Sequence, residues 1–335
     1  MGIVRPEKIR IGSTELALPI FFSSVSSIKT NLSIYEYVEV LSALSALNKQ
    51  FLVSAFDLTH ASKEDAQKIR TLLEKTLQAG TTVLMDSGNY ESYWKAAQAT
   101  WQQPRFHEAL KQYPCSIAFS FDEQNPPTDI GQHIKLVAER WQLDQAAAGK
   151  RSIIPIVHSA PADLPALCAG VVEAIDVKMI AVPERRLGNG ILERVATTKA
   201  IRAELDKKGT YTALHLLGTG NPISVAMYAI AGADSFDGLE WCQTVVDHDT
   251  SLLSHSTHAD FFRAQTEWGA SELSFQARTL AHNLEFYASW IDRLRKAIHT
   301  GDTVTFCRSN LPQRIFNLCV GILGWEQKID RKSHQ

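Results

Sequence analysis

Three aspartates, Asp86, Asp122 and Asp237, each follow a short apolar run of the kind that forms a buried strand. Carboxylates that share a partly buried place can have their pKa values pushed apart, so that one acts in proton transfer and another as a nucleophile. For a single aspartate, capping of the following helix is the more common role. Three such residues in succession favour a common acidic site.

Eight apolar runs recur along the chain with helical-period segments between them. The runs are 18–24, 51–56, 82–87, 116–121, 153–159, 179–183, 213–218 and 235–239. Segments long enough for crossover helices are 34–48, 63–79, 130–148, 162–175, 190–207 and 222–231. This alternation is typical of βα units around a buried parallel sheet. We therefore predict an α/β fold, a (β/α)8 TIM-type barrel.

The sequence after the eighth run predicts further helices. Residues 271–298 form a long amphipathic pattern that ends at Gly301, and residues 303–325 predict another helix. We therefore expect a barrel domain over residues 1–300 and a C-terminal helical segment over 301–335 that packs on it. Ser62 and the pair Asn221-Pro222 are expected to start helices.

Other polar or aromatic residues lie near strand ends, where barrel enzymes place their chemistry. Tyr90 could stack on a planar ligand, although taken alone it is more simply a rim tyrosine. His158 could contact a ligand, shuttle a proton or be a hydrogen-bonded core histidine, and the sequence leaves these roles open. The glycines on either side of Thr219 are weak evidence for a phosphate site at the next helix N-terminus.

Composition and charge restrict the function classes. The formal charge is −2 and the pI about 6.6, which gives no support for binding nucleic acid through its phosphates. The five cysteines are scattered without a C-x-x-C pair, as expected of reduced thiols, and His255, His258 and His282 lack the spacing of a metal site. Neither a signal peptide nor an apolar stretch of ~20 residues is present, so the expected location is cytoplasmic, without membrane contact.

Five motifs resemble, in the same order, those of tRNA-guanine transglycosylases. The matching region covers roughly residues 18–301. The motifs are D-S-G-N-Y at 86–90, F-D-E at 121–123, L-L-G-T-G-N-P at 216–222, F-D at 236–237, and H-N-L-E-F-Y at 282–287 with L-R-K-A-I at 294–298. They are similar to the family's D-S-G-G-Y/F, F-D-E, L-M-G-V-G-x-P, F-D, and H-N-L-x-x-Y with L-R-x-x-I.

The resemblance implies roles for the residues that match. Asp86 would be the general acid/base, and Asp237 the nucleophile that displaces the base and holds the ribose covalently. Tyr90 would stack on the base, and Asp122 would bind its Watson–Crick edge. The implied ligand is guanine or a 7-deazaguanine.

Further base-binding positions follow from the same resemblance. Leu217 and Gly218 belong to the loop that covers the other face of the base. His158 stands where the family has a base-binding glutamine, and Glu184 where it has a backbone contact to the exocyclic edge. All four are expected to bind the base.

The chain also departs from the family pattern. The C-x-C-x-x-C zinc motif is missing although His282 matches the fourth ligand, so we expect no metal and no other cofactor. The family's P-T-R-x-G-R-N-G segment after the nucleophile is absent as well. These losses make ordinary tRNA an unlikely partner and imply a different acceptor.

Relatives of this kind act on DNA, and others occur in bacterial antiviral islands, including type IV CBASS systems. By resemblance, we expect a transglycosylase-like enzyme in antiphage defence with a partner protein, such as a nucleotide cyclase or a deazapurine-synthesis-like protein. The family commonly forms homodimers. The aromatic stretch 286–290 could form the dimer contact, or it could instead pack against the barrel of its own chain.

Three alternatives stay open. The barrel could be a repurposed scaffold that binds a 7-deazapurine or a protein without catalysis, or it could be a DNA or tRNA guanine transglycosylase. An unrelated phosphate-binding aldolase or isomerase ranks last, because no strand end supplies a lysine.

Overall fold

This computed structural model describes residues 4–325. They contain twelve β-strands and thirteen α-helices. The strands are β1 (Lys8–Ile11), β2 (Thr14–Ala17), β3 (Ile20–Val25), β4 (Gln50–Ser54), β5 (Thr82–Asp86), β6 (Ile117–Phe119), β7 (Ser152–Ile154), β8 (Met179–Pro183), β9 (Ala213–Leu217), β10 (Ser235–Gly238), β11 (Thr244–Val246) and β12 (Leu253–His255). The α-helices are α1 (Ile34–Ala43), α2 (Ala55–His60), α3 (Lys63–Gln78), α4 (Asn89–Trp94), α5 (Gln103–Gln112), α6 (Ile130–Ala148), α7 (Leu164–Ile175), α8 (Ile191–Asp206), α9 (Pro222–Ala231), α10 (Glu240–Gln243), α11 (Phe275–Thr300), α12 (Thr303–Asn310) and α13 (Gln313–Leu323). Three 3-10 helices cover Glu184–Arg186, Ser256–Gln265 and Glu267–Ala270.

Eight parallel strands form the central sheet, as the sequence predicts. Their order is β7-β6-β5-β4-β3-β10-β9-β8, so the first and last barrel strands in the chain, β3 and β10, pair with each other and the two edge strands are β7 and β8. The two edge strands are joined beyond the end of β7, where Ile156 bridges Ala181 and the Ala181 amide donates to Pro155 O at 2.9 Å. The fold is therefore a nearly closed (β/α)8 TIM-type barrel.

The barrel interior is filled by apolar side chains that alternate along the strands. Ile20 and Phe22 of β3 belong to the same buried cluster as Leu52, Leu84 and Phe119. The cluster continues into the β1–β2 hairpin, whose residues Ile9, Ile11 and Leu16 are buried in it. The hairpin therefore covers the amino-terminal end of the barrel and leaves the carboxyl ends of the strands open.

Helix starts follow the capping signals in the sequence. The side chain of Ser62 accepts from Asp65 N at the start of α3, and Asn221 accepts from the second and third residues of α9, which confirms both predicted starts. Helix α11 begins after the N-cap Ser274 and ends at Gly301, whose φ of 75° suits a residue without a side chain.

The C-terminal segment differs from the prediction of one helix over 303–325. It forms two helices, α12 and α13, separated by Leu311 and Pro312. Proline has no N–H to donate and disfavours helical geometry in the residue before it, which explains the break. Helix α13 packs on α9, where Cys319 Sγ lies 3.3 Å from Met227 Sδ. Residues 326–335 of the predicted segment lie outside the described residues.

The aromatic residues of 286–290 pack inside the chain. Phe286, Tyr287 and Trp290 are each at most 4% exposed. Phe21 stacks on Tyr287 with 4.6 Å between ring centroids. This stretch covers the barrel and does not offer its aromatic rings to a second copy. Within residues 4–325, no helix has both the length and the apolar character that crossing a membrane would require.

Candidate functional site

A cavity of about 1010 Å³ opens at the carboxyl ends of the barrel strands. Its lining includes all eight residues that the sequence singled out: Asp86, Tyr90, Asp122, His158, Glu184, Leu217, Gly218 and Asp237. None of the three aspartates is an N-cap residue, because those positions are held by Gly88 in α4, Asp129 in α6 and Leu239 in α10. The capping interpretation of the aspartates is therefore wrong.

Asp237 lies on β10, and its carboxyl group makes three contacts with the protein. Ser24 Oγ donates to its Oδ2 at 2.7 Å, and the Gly218 amide donates to its Oδ1 at 3.1 Å. His215 Nε2 lies 3.0 Å from the same Oδ1. These contacts come from β3, β9 and the loop after β9, so three neighbouring elements fix the orientation of one carboxylate.

Asp86 ends β5 and has a different environment. Its Oδ2 accepts from the Gly88 amide at 2.9 Å, in the turn that leads into α4. Burial raises the pKa of Asp86 to about 7, the charges of Asp122 and Asp237 add to this rise, and the Gly88 hydrogen bond opposes it. Near neutral pH this carboxyl group can therefore either give or take a proton.

Asp122 follows β6 and is the most heavily hydrogen-bonded of the three aspartates. His158 Nε2 lies 2.5 Å from its Oδ2, and Asn89 Nδ2 donates to its Oδ1 at 2.7 Å. Burial opposes its ionisation, yet the pKa of Asp122 is lowered because His158 and Asn89 stabilise the anion. Asp122 is therefore ionised and acts as an acceptor for protein donors.

Glu184 lines the cavity, and its carboxylate also bonds to other side chains of the protein. Its Oε1 accepts from Tyr228 OH at 2.9 Å and pairs with Arg194 Nη1 at 2.8 Å. Of the predicted residues at the rim, Tyr90 is 40% exposed and contacts Trp94 edge to face at 6.3 Å. Leu217 precedes Gly218, whose φ of 73° turns the chain away from β9.

The loop after β9 uses several of its amides in hydrogen bonds within the protein. The Gly218 amide donates to Asp237, and the amides of Ile223 and Ser224 donate to the side chain of Asn221. These amides are already paired, so the weak expectation of a phosphate cradle gains no support.

Glu91 is a site residue that the sequence interpretation missed. It lies on α4, lines the cavity and is 3% exposed. Ser26 Oγ and Ser54 Oγ lie 2.6 Å and 2.8 Å from its two oxygens. Burial raises the pKa of Glu91 to about 8, and the charges of Asp57 and Asp86 add to this rise. The sequence feature that could have indicated Glu91 is its position directly after Tyr90, a residue already assigned to the site.

Glu240 is a second missed residue. Its carboxylate lies against two glycines, because a Cβ on Gly220 or Gly238 would come within 2.0 Å or 2.4 Å of Glu240 Oε2. Burial raises the pKa of Glu240 to about 7, and the charges of Asp237 and Glu184 add to this rise. It follows the eighth strand by two residues, beyond the run that the sequence interpretation covered.

No family model matches the chain, and no curated protein matches it. The likeness to transglycosylases therefore rests on the five sequence motifs alone and stays an expectation.

The residues present do not fit the zinc site of the family that the chain resembles. His282 Nε2 lies 2.8 Å from Val246 O, and its Nδ1 lies 3.3 Å from Thr266 Oγ1. In the described part of the chain, no group of three or more histidine, cysteine or carboxylate residues is placed to hold a metal ion. His282 instead ties α11 to β11.

Helix α11 supports the wall of the cavity that carries Asp237. Asn283 Nδ2 donates to Trp241 O and Thr244 O at 2.7 Å and 2.8 Å, and its Oδ1 accepts from Val246 N at 3.0 Å. Tyr287 OH donates to Gly220 O at 2.6 Å. The motif at 282–287 thus holds the loops that follow β9 and β10.

Proposed function

We propose that this protein binds guanine or a 7-deazaguanine and exchanges the base on a ribosyl carbon. The observation that carries the proposal is the pairing of two unlike carboxyl groups in one cavity. Asp237 is oriented by three protein contacts, whereas burial raises the pKa of Asp86 to about 7. A pair in which one group is a fixed acceptor and the other exchanges a proton near neutrality suits nucleophilic catalysis with acid/base assistance.

The proposed reaction has two halves. Asp237 attacks the anomeric carbon, a C–O ester bond forms, and the C–N glycosidic bond breaks. The departing base keeps the electron pair and takes a proton from Asp86. The incoming base then returns a proton to Asp86 while its ring nitrogen attacks the same carbon and the ester bond to Asp237 breaks.

The cavity has the size and chemistry for such a ligand. At about 1010 Å³ it has room for a purine with its sugar, whereas sites for drug-sized molecules have volumes of ~300–1,000 Å³. Tyr90 and Leu217 offer apolar surface at its lining, and several carboxyl groups and His158 offer hydrogen-bonding partners. This mixture favours a planar, N–H-rich base.

The biological setting is proposed from the resemblance. We propose an acceptor other than ordinary tRNA and a role in antiphage defence with a partner protein, such as a nucleotide cyclase or a deazapurine-synthesis-like protein. The formal charge of −2 is consistent with a partner that is not bound through many phosphates.

The test has a binding stage and an exchange stage. Calorimetric titration with guanine and a panel of 7-deazaguanines is expected to show binding that Asp122→Ala abolishes. Radiolabelled guanine is then incubated with the protein and, separately, with duplex DNA, single-stranded DNA or bulk tRNA. Incorporation into one of the DNA substrates is expected with the unaltered protein and not with Asp237→Asn, whereas incorporation into bulk tRNA would contradict the proposed acceptor.

Asp176→Asn is the matched control, because Asp176 ends α7 on the exposed surface in a left-handed conformation that asparagine tolerates. It is expected to bind and exchange like the unaltered protein. Incorporation that persists in Asp237→Asn would contradict the nucleophile assignment. Base binding without incorporation into any acceptor would favour a non-catalytic base-binding scaffold instead.

A further inference from the structure

Three cationic side chains in the lining of the cavity have no carboxylate partner within residues 4–325. They belong to Lys29, Arg185 and Arg186, of which the first two are exposed and the third is half-buried. Arg185 and Arg186, the arginine pair, bond to uncharged oxygens of Gln124, and the Lys29 ammonium lies over the Trp94 ring at 4.8 Å from its centroid. Cations in this situation at the mouth of a cavity attract anionic ligands.

The glutamates at the same rim are paired with other arginines. Glu123 Oε2 lies 2.8 Å from Arg140 Nη2, and Glu184 Oε1 lies 2.8 Å from Arg194 Nη1. Each of these ion pairs is close to neutral, so neither glutamate offsets the charge of the arginine pair. The cavity therefore has a positively charged rim above the floor that carries the three aspartates.

Gln124 places the arginine pair next to this floor. Arg185 Nη2 donates to Gln124 Oε1 at 3.0 Å, and Arg186 Nη2 donates to Gln124 O at 3.3 Å. On the other side, Gln124 Nε2 donates to Asp122 Oδ2 at 2.5 Å. Because only one side-chain amide separates the Arg185 guanidinium from the Asp122 carboxylate, a small ligand can reach both regions at once.

Arg185 also lies near Tyr90, the aromatic residue at the rim. Burial raises the pKa of Tyr90, and the positive charge of Arg185 opposes this rise. A guanidinium has several N–H donors, and the bond to Gln124 uses one of those on Arg185. The exposed head of Arg185 therefore offers further donors beside the ring that could stack on a base.

The order of these groups matches the order of the groups in a nucleotide. An N–H-rich base suits the carboxylates of the floor. A phosphate suits the rim, because guanidinium groups form paired, charge-assisted hydrogen bonds with phosphate oxygens. A free base or a nucleoside would leave the arginine pair without an anionic partner.

We propose that Arg185 and Arg186 bind a phosphate group attached to the sugar of the exchanged base, so that the ribosyl ligand is a nucleotide and not a nucleoside. The inference rests on the proposed function, since it takes the base to lie among the aspartates. Two arginines match a single phosphate group, which agrees with a formal charge of −2 that gives no support for binding many phosphates. The phosphate is a monoester in a mononucleotide and a diester in a single strand, two sources that binding measurements separate.

Binding of guanosine and of guanosine 5′-monophosphate to the whole protein measures the contribution of the phosphate. Calorimetry at low ionic strength is expected to show about tenfold tighter binding of the monophosphate, and added NaCl is expected to reduce this ratio. Arg185→Gln is expected to lower the ratio to about threefold, and the double variant Arg185→Gln/Arg186→Gln to remove it, while guanosine affinity stays within about twofold in both. Thermal unfolding of each variant checks that it is folded.

Arg10→Gln is the matched control. Arg10 is exposed on β1, at the amino-terminal end of the barrel, and its substitution removes the same charge. The ratio is expected to stay as it is in the unaltered protein. A ratio that Arg10→Gln and Arg185→Gln lower equally would show an effect of overall charge and would contradict the inference.

A single-stranded trinucleotide with guanine at its centre separates the two sources of phosphate. Tighter binding of the monophosphate than of the trinucleotide assigns the site to a mononucleotide, and the reverse order assigns it to a diester in a strand. Either result supports the inference when the double variant removes the gain over guanosine.

Two results would overturn the inference while the proposed function stands. One is equal affinity of the unaltered protein for guanosine and for both phosphate-bearing ligands. The other is a gain in affinity that survives in the double variant, because the phosphate would then be bound elsewhere. Failure of the unaltered protein to bind guanine, any 7-deazaguanine or guanosine would overturn the proposed function and this inference with it.

Discussion

His215 Nε2 and Asp237 Oδ1 are joined by a 3.0 Å contact between neighbouring barrel strands. The other ring nitrogen of His215 lies 2.7 Å from Ser235 Oγ, and Ser235 is the residue that pairs with His215 in the sheet register. Ser235, His215 and Asp237 therefore form a buried series in which the sheet itself sets the spacing. The series ends on the carboxylate that we propose as the nucleophile.

Removing His215 is expected to slow base exchange without weakening base binding. His215→Phe fills the same space but removes the donor to Asp237, and loss of a hydrogen bond to a charged group costs about 1.5–3 kcal/mol, or ~10–100-fold in rate. Exchange kinetics and calorimetry measure the two effects. His299→Gln, at the other end of the barrel, is the control and is expected to leave exchange unchanged. Equal losses in rate and affinity would argue against an orienting role.

The stability of the protein is expected to fall as pH rises from about 5 to 8. The pKa values of Asp86, Glu91 and Glu240 are raised to about 7, 8 and 7, so in this range the folded state holds more protons than the unfolded state. Their stabilising contribution is complete below the unfolded pKa values and is lost through the folded ones, by up to about 1.4 kcal/mol per pH unit for each group. Asp122 acts in the opposite direction, but its lowered pKa places its effect below pH ~4. Burial lowers the pKa of His248 to about 4 and also lowers the pKa values of His133 and His282, so these three histidines reduce the fall below about pH 6.5.

Glu91→Gln tests this pH dependence. The amide resembles the protonated carboxyl group and does not titrate, so urea unfolding midpoints are expected to change less between pH 5 and pH 8 than in the unaltered protein. Glu272→Gln, in an exposed loop, is expected to leave the slope as it is. A Glu91→Gln slope that matches the unaltered one would show that Glu91 is ionised in the folded state at neutral pH.

Gly88 is expected to tolerate no side chain. Its φ is 86°, and a Cβ there would lie 2.5 Å from Phe56 Cβ and 2.6 Å from Phe56 N. Gly80 has almost the same φ, 87°, with nothing within 4 Å of such a Cβ. Gly80→Ala therefore reports the backbone strain alone, about 1–2 kcal/mol, and Gly88→Ala is expected to lose roughly 2 kcal/mol more in chemical denaturation. Similar losses in both variants would mean that the turn before α4 can move away from α2.

Asn283 is expected to contribute strongly to stability. Asn283→Ala leaves Val246 N, Trp241 O and Thr244 O without their side-chain partner, which should cost about 2–4 kcal/mol in chemical denaturation. Asn317→Ala on the exposed face of α13 is the control, with an expected change under ~0.5 kcal/mol. A loss at Asn283 no larger than this control would indicate that water replaces the amide.

The sequence predicted the barrel because hydrophobic periodicity reports which segments are buried on all sides. All eight parallel strands overlap predicted runs, with errors of a few residues at their ends, as in β7, where the run 153–159 exceeds Ser152–Ile154. The β1–β2 hairpin was missed because four-residue strands carry too little pattern to recognise. Helices α4 and α5 were missed because the segment between the third and fourth runs is polar and interrupted.

The site could be predicted only where side chains follow strand ends. Asp86, Asp122 and Asp237 were found in this way, and the structure gathers them in one cavity. His215 lies inside an apolar run and looks like a core residue until the Asp237 contact is known. The position of Glu240 depends on its packing against Gly220, in the loop after β9, and Gly238, at the end of β10, and no local sequence pattern contains this packing.

Helix α11 also determines when the barrel can be completed. Its Arg295 donates to Pro19 O, and its His299 lies 2.8 Å from Leu18 O, a contact between positions 281 residues apart in sequence. One edge of β3 pairs with β10, which lies more than 200 residues later in the chain. This edge of β3 therefore stays unpaired until those residues have been made. During synthesis the incomplete barrel therefore passes through an aggregation-prone intermediate with an unpaired strand edge. A chaperone that covers β3 at this stage would raise the yield of folded protein.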